Sequence, residues 1–185
     1  MRINLRSAVG QMRLLATDLN RMVGGRSWRY LTLWQSPSMW TNVSYRVDRA
    51  GFLLFGRGWA VARPACFPLF LGFRLMGGRG DIHYRAEIGG GFVVLHPELG
   101  VVVSARAVIG DNLILTGGNC IGWKEGAPDQ PFILGDRLNL GANAVVLGPI
   151  EVGNNVTVGA GAVVVADAED NSVLVGVPAR SVLKK

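Results

Sequence analysis

Residues 134–165 read LGDRLN LGANAV VLGPIE VGNNVT VGAGAV VV when they are written in sixes. An aliphatic residue opens each group, at Leu134, Leu140, Val146, Val152, Val158 and Val164. A second small or aliphatic residue follows four places later, at Leu138, Ala144, Ile150, Val156 and Ala162. This period matches neither a helix nor a simple strand alternation, and it is typical of a parallel β-helix built from hexapeptide repeats.

The repeat has a direct physical interpretation. We expect each opening aliphatic residue to point into the core of a prism. Gly or Asn at the corners would supply the positive φ that a sharp bend requires. Successive rungs would then hydrogen-bond at the sheet spacing of about 4.8 Å. Five consecutive groups in frame make ordinary short strands with glycine turns a poor alternative.

Composition divides the chain near residue 80. Residues 1–80 contain twelve arginines, no lysine and two aspartates, whereas residues 81–185 contain seven basic and eleven acidic residues. Four of the five tryptophans also lie in the first part. We therefore predict a basic, aromatic-rich helical domain at 1–80. The prediction for 81–185 is a β-helix domain with a C-terminal tail.

The first part has helical patterns. An apolar face is expected on a helix at 9–22, formed by Met12, Leu15, Ala16, Leu19 and Met22. Ser36-Pro37-Ser38 predicts a helix start, and Pro64 and Pro68 are expected to interrupt a later helix. The arginines either solvate this domain or form a surface for anionic lipid or an anionic glycan. Nucleic acid is not expected, because no recognised binding motif accompanies the charge.

The six-residue frame begins after Asp81 and is broken twice. Val103 follows Val94 by nine residues instead of six, and a second break separates Ile121 from Leu134. Insertions in a β-helix form loops at corners and often carry the binding face. The first of these breaks contains His96.

Only two histidines occur, His83 and His96, which disfavours metal-dependent hydrolysis at a zinc site with three histidine ligands, and no metal is expected to be required. A coil of three sixes would bring Asp81 and His96 onto neighbouring rungs. A carboxylate behind an imidazole fixes its tautomer, and such a histidine can take a proton from a hydroxyl. The alternative is that His96 is a bulge residue without a partner.

Several segments together resemble the serine O-acetyltransferase family of hexapeptide-repeat acyltransferases: Asp81-Ile82-His83, Ile88-Gly89, His96, Ala107-Val108-Ile109-Gly110-Asp111, Gly141-Ala142 and Val175-Gly176-Val177-Pro178-Ala179-Arg180. The resemblance implies a left-handed β-helix, a homotrimer and acetyl-CoA as co-substrate. It assigns the catalytic pair to Asp81 and His96.

The resemblance also implies binding residues. The pantetheine arm of acetyl-CoA would approach the backbone at Gly141, Ala142 and Ala160. Arg180, Lys184 and Lys185 would meet the CoA phosphates. His83 would either touch the acceptor or cap a coil. Trp123 would stack on a sugar ring or on the CoA adenine, or would be an exposed packing residue.

The acceptor is inferred from departures from the family pattern. Leu95 stands where the family has Asp before the histidine, and Asp129-Gln130-Pro131 stands where it has Arg-His-Pro. These changes remove partners for the ammonium and carboxylate of serine. We therefore expect a carbohydrate hydroxyl as acceptor, in exopolysaccharide, capsule or related glycan biosynthesis. The alternatives are a serine O-acetyltransferase and a non-catalytic scaffold. The expected location is cytoplasmic, with membrane-peripheral contact as a further hypothesis.

Overall fold

The computed structural model describes residues 5–128 and 130–182, in which a helical part precedes a three-sided β-helix. The described helices are α1 (Leu5–Val23), α2 (Pro37–Phe55), α3 (Trp59–Ala62) and α4 (Phe67–Gly77). Short 3₁₀ segments lie between them at Ser27–Leu31, Leu33–Gln35, Gly56–Gly58 and Arg63–Cys66. Asp129, Lys184 and Lys185, which were discussed above, lie outside the described residues.

The predicted helix start at Ser36-Pro37 is confirmed. Helix α2 begins at Pro37, where the fixed φ suits a first turn and the missing N–H is not needed. The predicted interruption of the later helix is confirmed, because Pro64 lies in the 3₁₀ segment Arg63–Cys66 and Pro68 lies in the first turn of α4. Helix α2 ends at Phe55 and is followed by Gly56, whose φ of +54° a residue with a side chain rarely adopts.

The β-helix has three parallel faces. Face 1 contains β1 (Gly80–Ile82), β4 (Val101–Val103), β7 (Asn119–Trp123), β10 (Val145–Gly148) and β13 (Val163–Val164). Face 2 contains β2 (Glu87–Ile88), β5 (Ala107–Ile109), β8 (Phe132–Leu134) and β11 (Glu151–Val152). Face 3 contains β3 (Val93–Val94), β6 (Ile114–Leu115), β9 (Asn139–Leu140), β12 (Thr157–Val158) and β14 (Val173–Gly176). A final strand, β15 (Ala179–Val182), folds back antiparallel to β14.

The opening aliphatic residues form the core, as the repeat predicts. From Ile88 to Val164 every one of them is at most 4% exposed. Neighbouring rungs align opener on opener, as in the pairs of Ile121 with Val146 and of Val146 with Val164. Apolar side chains therefore stack in continuous rows inside the prism, which stabilises parallel strands of only two to five residues.

The corners use the positive φ that the sequence predicts. Asn112, Asn143, Asn155 and Asn171 have φ between 56° and 65°, and Arg137 joins them at 55°. At the corner between faces 2 and 3, side-chain oxygens also bond backbone N–H groups of the preceding rung. Asp136 accepts from the N–H of Asp111 at 2.8 Å, and Asn154 accepts from the N–H of Asp136 at 2.9 Å.

Helix α2 closes the open end of the prism. The N–H groups of the first coil bond to carbonyls of the second, as from His83 to Val103, so first-coil carbonyls point toward the helices. Side chains of α2 satisfy these carbonyls. Asn42 donates to Phe92 (2.6 Å), Tyr45 to Ala86 (2.9 Å) and Arg46 to Ile88 (2.7 Å), and buried carbonyls require such partners.

The helical part buries charge at this junction. Arg46 is fully buried, and its Nε lies 2.9 Å from the carboxylate of Asp18, which is also fully buried. Burial raises the pKa of Asp18, whereas Arg46 acts in the opposite direction. The predicted apolar face of α1 is therefore only partly right. Met12 and Ala16 are exposed, because α1 turns Asp18 toward Arg46.

Within the described residues, no helix is long and apolar enough to cross a membrane.

Candidate active site

His96 lies at the corner where the chain passes from face 3 to face 1, here called the His96 corner. It follows β3 and precedes a 3₁₀ turn, Pro97–Leu99, which forms the first insertion in the repeat. Its backbone N–H bonds to the carbonyl of Thr116 on the next rung at 2.9 Å. The backbone of His96 is thus fixed by the β-helix, while its side chain is 59% exposed to solvent.

Two carboxylate side chains, those of Glu98 and Asp81, lie on the segments that come together at the His96 corner. The Oε1 atom of Glu98 lies 3.5 Å from Nδ1 of His96. Asp81 lies on β1, which reaches the same corner because the N–H of Arg79 bonds to the carbonyl of Pro97 at 3.2 Å. Among the described residues, no ion pair within 4.0 Å joins Asp81 to His96. Glu98 is therefore the carboxylate in contact with the imidazole in this single chain.

A column of small residues runs along the prism from His96. The N–H of Thr116 bonds to the carbonyl of Leu140, that of Gly141 to Val158, and that of Gly159 to Leu174. The segments 116–118, 141–142 and 159–161 consequently stack rung on rung at the His96 corner. A Cβ atom on Gly141 would lie 2.6 Å from the backbone N of Ala160. The structure therefore brings Gly141, Ala142 and Ala160 together in one column that begins at His96.

The tail lies at the other end of this column. Arg180 on β15 pairs with Val175 on β14, and a Cβ atom on Gly159 would touch the Val175 side chain at 3.0 Å. Arg180 is exposed, and its Nη1 donates a hydrogen bond to the carbonyl of Ala179 at 3.0 Å. The described part of the tail thus leaves a cation near the far end of the small-residue column.

His83 has a local partner. Its Nδ1 accepts a hydrogen bond from the N–H of Arg85 at 3.0 Å, and its ring packs on Tyr84. Burial lowers the pKa of His83, the nearby Arg85 lowers it further, and Asp81 acts in the opposite direction. These contacts favour the coil-capping alternative over contact with an acceptor.

Trp123 lies at a different corner, where the chain leaves face 1 for face 2. The guanidinium of Arg106 lies 4.6 Å from its ring centroid, and Phe132 packs beside it at 5.8 Å. The second break of the repeat, at residues 124–131, follows directly. In a single chain Trp123 is therefore a partly buried packing residue away from the His96 corner.

Two cavities flank this region. One of about 450 Å³ opens beside Leu95, and polar side chains of the helical part line it, including Arg29, Thr32, Gln35 and Ser36. The other, of about 110 Å³, lies between α2, α4 and β1 and includes Asp81, Arg63 and Arg74.

Sequence reasoning missed two features of the site. Glu98 was not considered, although its place two residues after His96 in an insertion is a usable signal. Gly117 was also missed. A Cβ atom there would lie 2.6 Å from the carbonyl oxygen of His96, and its φ is +138°. Gly117 thus lets the next rung approach His96 closely, and the Thr-Gly-Gly sequence directly after a core leucine could have indicated it.

The comparisons with known proteins agree with this architecture. The family described as "Hexapeptide repeat of succinyl-transferase" matches residues 131–166. A serine acetyltransferase of Bacillus pumilus is 41% identical over 106 residues, which are 56% of this chain and 48% of that protein. This chain therefore spans about half the length of that relative.

Solved structures resemble the chain over nearly all of its length. A crystal structure of serine acetyltransferase from Neisseria gonorrhoeae superposes with a TM-score of 0.78 at 28% identity, covering 97% of this chain and 69% of that one. A serine acetyltransferase solved as a complex with CoA gives a TM-score of 0.73 at 25% identity, covering 96% and 72%.

Fold and repeat define the class first: the chain is a left-handed parallel β-helix of hexapeptide repeats with an N-terminal helical region. Within that class, it is similar to serine acetyltransferases in its repeat domain and in its overall fold.

The same comparisons correct the expected acceptor. Relatives at up to 41% identity are named serine acetyltransferases, so the prediction of a carbohydrate acceptor and of a role in polysaccharide biosynthesis is wrong. That prediction rested on three positions, Leu95, Asp129 and Gln130, and an acceptor site contains groups from several elements. Other side chains can supply the charge that those positions lack.

Proposed function

We propose that this chain is an acetyl-CoA-dependent O-acetyltransferase with serine as its acceptor. The observation that carries the proposal is the column of small corner residues that begins at His96. A base at one end of a groove, with an exposed cation at the other, suits a long, flexible thioester that ends in phosphates. The names of the relatives support serine as the acceptor.

In the proposed reaction His96 is the general base. Its imidazole takes the proton of the serine hydroxyl while the hydroxyl oxygen attacks the thioester carbonyl carbon. The carbon–sulfur bond then breaks, and the departing thiolate of CoA takes the proton back from the imidazolium. The products are O-acetylserine and CoA. A carboxylate, Asp81 or Glu98, would orient the imidazole and stabilise its charged form.

Acetyl-CoA would lie along the His96 corner. Gly141, Ala142 and Ala160 have no bulky side chain there, so the pantetheine arm could approach the backbone closely. Arg180 would bind phosphate by charge-assisted hydrogen bonds. Lys184 and Lys185 remain candidates for the same role.

Serine recognition needs an anion and a cation near His96. Glu98 is the exposed carboxylate beside the imidazole and would bind the ammonium group. Arg29 lines the cavity next to Leu95 and would bind the carboxylate, for which a guanidinium is well shaped.

The proposal includes a homotrimer. Trp123 and the His96 corner occupy different corners of one prism, so a neighbouring chain would be needed to bring Trp123 to an acetyl-CoA bound at His96. Exposed apolar side chains on the outside of the prism, such as Val102 and Ile133, suit burial against such a neighbour. A cytoplasmic location is also proposed, because both cysteines, Cys66 and Cys120, are free.

Incubation of the purified full chain with acetyl-CoA and L-serine tests this function. We expect free thiol to form only when serine is present, with O-acetylserine identified by mass spectrometry. Arg29→Gln should raise KM for serine with little effect on KM for acetyl-CoA. Binding of CoA without any serine-dependent thiol release would overturn the proposal of serine as acceptor.

A further inference from the structure

Helix α4 exposes an apolar face to solvent. Phe70 and Phe73 point inward, where they pack against Trp59 and Trp40 with ring centroids 6.4 and 5.9 Å apart. Five other apolar residues are exposed and are called here the exposed α4 face: Phe67, Leu69, Leu71, Leu75 and Met76. Phe67, Leu71 and Leu75 are spaced by four residues and form one stripe along the helix. Leu75 is 79% exposed, and nearby Val61 is 84% exposed.

Most of the charged side chains around this face are positive, and the exposed Asp81 lies beside Arg74 in the cavity between α2, α4 and β1. The first eighty residues contain two acidic residues, Asp18 and Asp48. Asp18 is buried against Arg46, and Asp48 is buried against Arg63 and the indole N–H of Trp59. No acidic side chain is therefore exposed between residues 5 and 80. Arg57, Arg74 and Arg79 are exposed there, and Arg74 belongs to α4 itself.

We propose that the exposed α4 face binds the surface of an anionic lipid bilayer. Apolar side chains flanked by arginine are the pattern of a helix that lies in the membrane interface. The arginines would contact lipid phosphates while the leucines enter the acyl boundary. At 11 residues, α4 is roughly 16 Å long and would lie in the membrane plane.

The charges also distinguish a bilayer from other partners. A second copy of this chain bound through the same face by a twofold axis would bring together two surfaces on which arginines outnumber the one neighbouring acid, Asp81. A nucleic acid or an anionic glycan would pair with the arginines but would leave Leu71 and Leu75 in water. An anionic bilayer matches both the apolar residues and the charge.

Vesicle sedimentation of the full chain tests this proposal. Vesicles of phosphatidylcholine alone are compared with vesicles of phosphatidylcholine and phosphatidylglycerol, at low and at physiological salt. We expect binding to the anionic vesicles that weakens with salt, because exposed charges are screened within about 8 Å at physiological ionic strength. Arg57→Gln and Arg74→Gln should each weaken it about fivefold.

The double variant Leu71→Gln/Leu75→Gln keeps the charge and removes the apolar stripe, and we expect at least about tenfold weaker binding. The control is Val177→Gln, which changes an exposed apolar residue of the tail and should bind as the unmodified chain does. His96→Ala should also bind normally, which separates this test from the proposed catalysis.

Three outcomes would overturn the proposal. Absence of binding to anionic vesicles at low salt is the first. The second is unchanged binding of the leucine double variant, which would indicate adsorption by charge alone. In the third outcome, the unmodified chain does not bind vesicles and the leucine double variant has a smaller mass by light scattering. That result would mean that the exposed α4 face joins copies of this chain.

Discussion

At the scale of single residues, the proposed chemistry depends most on the imidazole of His96. His96→Ala removes the proposed base, and loss of a general base lowers rates by about 10²–10⁴-fold. Affinity for CoA should hardly change, because the small-residue column remains. Asp81→Asn should lower kcat less, and His83→Ala least, since His83 caps a turn. Steady-state kinetics and CoA titration measure both quantities. Near-normal turnover of His96→Ala would exclude His96 as the base.

The contact between His96 and Glu98 adds a fourth substitution, Glu98→Gln, to these three. Both side chains are exposed, so their attraction is weakened by water and salt. We therefore expect Glu98→Gln to lower kcat by less than Asp81→Asn does, and to raise KM for serine. The reverse order in kcat would identify Glu98 as the carboxylate that orients the imidazole.

Gly117 supports the position of His96. Gly117→Ala adds a Cβ atom 2.6 Å from the carbonyl oxygen of His96, at a φ of +138°. The control is Gly56→Ala, after α2 and outside the column, where φ is +54° but no atom lies within 4 Å of an added Cβ. Both variants should lose about 1–3 kcal/mol of stability through backbone strain. Only Gly117→Ala should also lower kcat, and equal kcat values in the two variants would contradict this role.

At the scale of elements, α2 caps the end of the β-helix. The pKa of the buried Tyr45 phenol on α2 offers a way to test this role. Burial raises the pKa of Tyr45 from 10.0 to about 12. The folded chain thus keeps the phenol proton longer than the unfolded chain does. Stability from this group is complete below pH 10 and is lost as the pH rises toward 12, by about 1.4 kcal/mol per pH unit.

Denaturant unfolding across this alkaline range tests the cap. Tyr45→Phe loses the hydrogen bond to Ala86 and should be less stable at neutral pH by about 1 kcal/mol. Its stability should then fall less steeply between pH 10 and 12 than that of the unmodified chain. Replacing the exposed Tyr30 by Phe is the control and should leave the slope unchanged. An unchanged slope in Tyr45→Phe would mean that this phenol does not stay buried.

At the scale of the whole molecule, the proposed homotrimer gives the simplest prediction. Light scattering should give three times the chain mass of 19.8 kDa, without dependence on CoA. Val102→Glu and Ile133→Glu place charge on exposed apolar positions of the prism and should lower the mass and the activity together. A stable and active monomer would contradict the trimer.

The prediction of the acceptor substrate was wrong because it rested on a few positions of the site. Leu95 and the Asp129-Gln130-Pro131 segment predicted a carbohydrate acceptor, and the comparisons point to serine instead. Glu98 in the corner insertion contacts His96, and Arg29 of the helical part lines the cavity beside Leu95. Neither residue occupies a position of the family motif, so the motif alone could not reveal it.

The sequence by itself determined the β-helix, its frame and both of its insertions, because a core row requires an aliphatic residue at every sixth position whatever surrounds it. It also singled out Gly141, Ala142 and Ala160, whose contact with CoA stays a prediction. Only the tertiary structure decided the roles of Arg46 and Glu98. Arg46 is buried because unpaired carbonyls of the first coil face α2, and Glu98 meets His96 because a 3₁₀ turn folds the insertion back. Such contacts depend on which elements pack against each other in the folded chain. The six-residue period of the sequence carries no information about that packing.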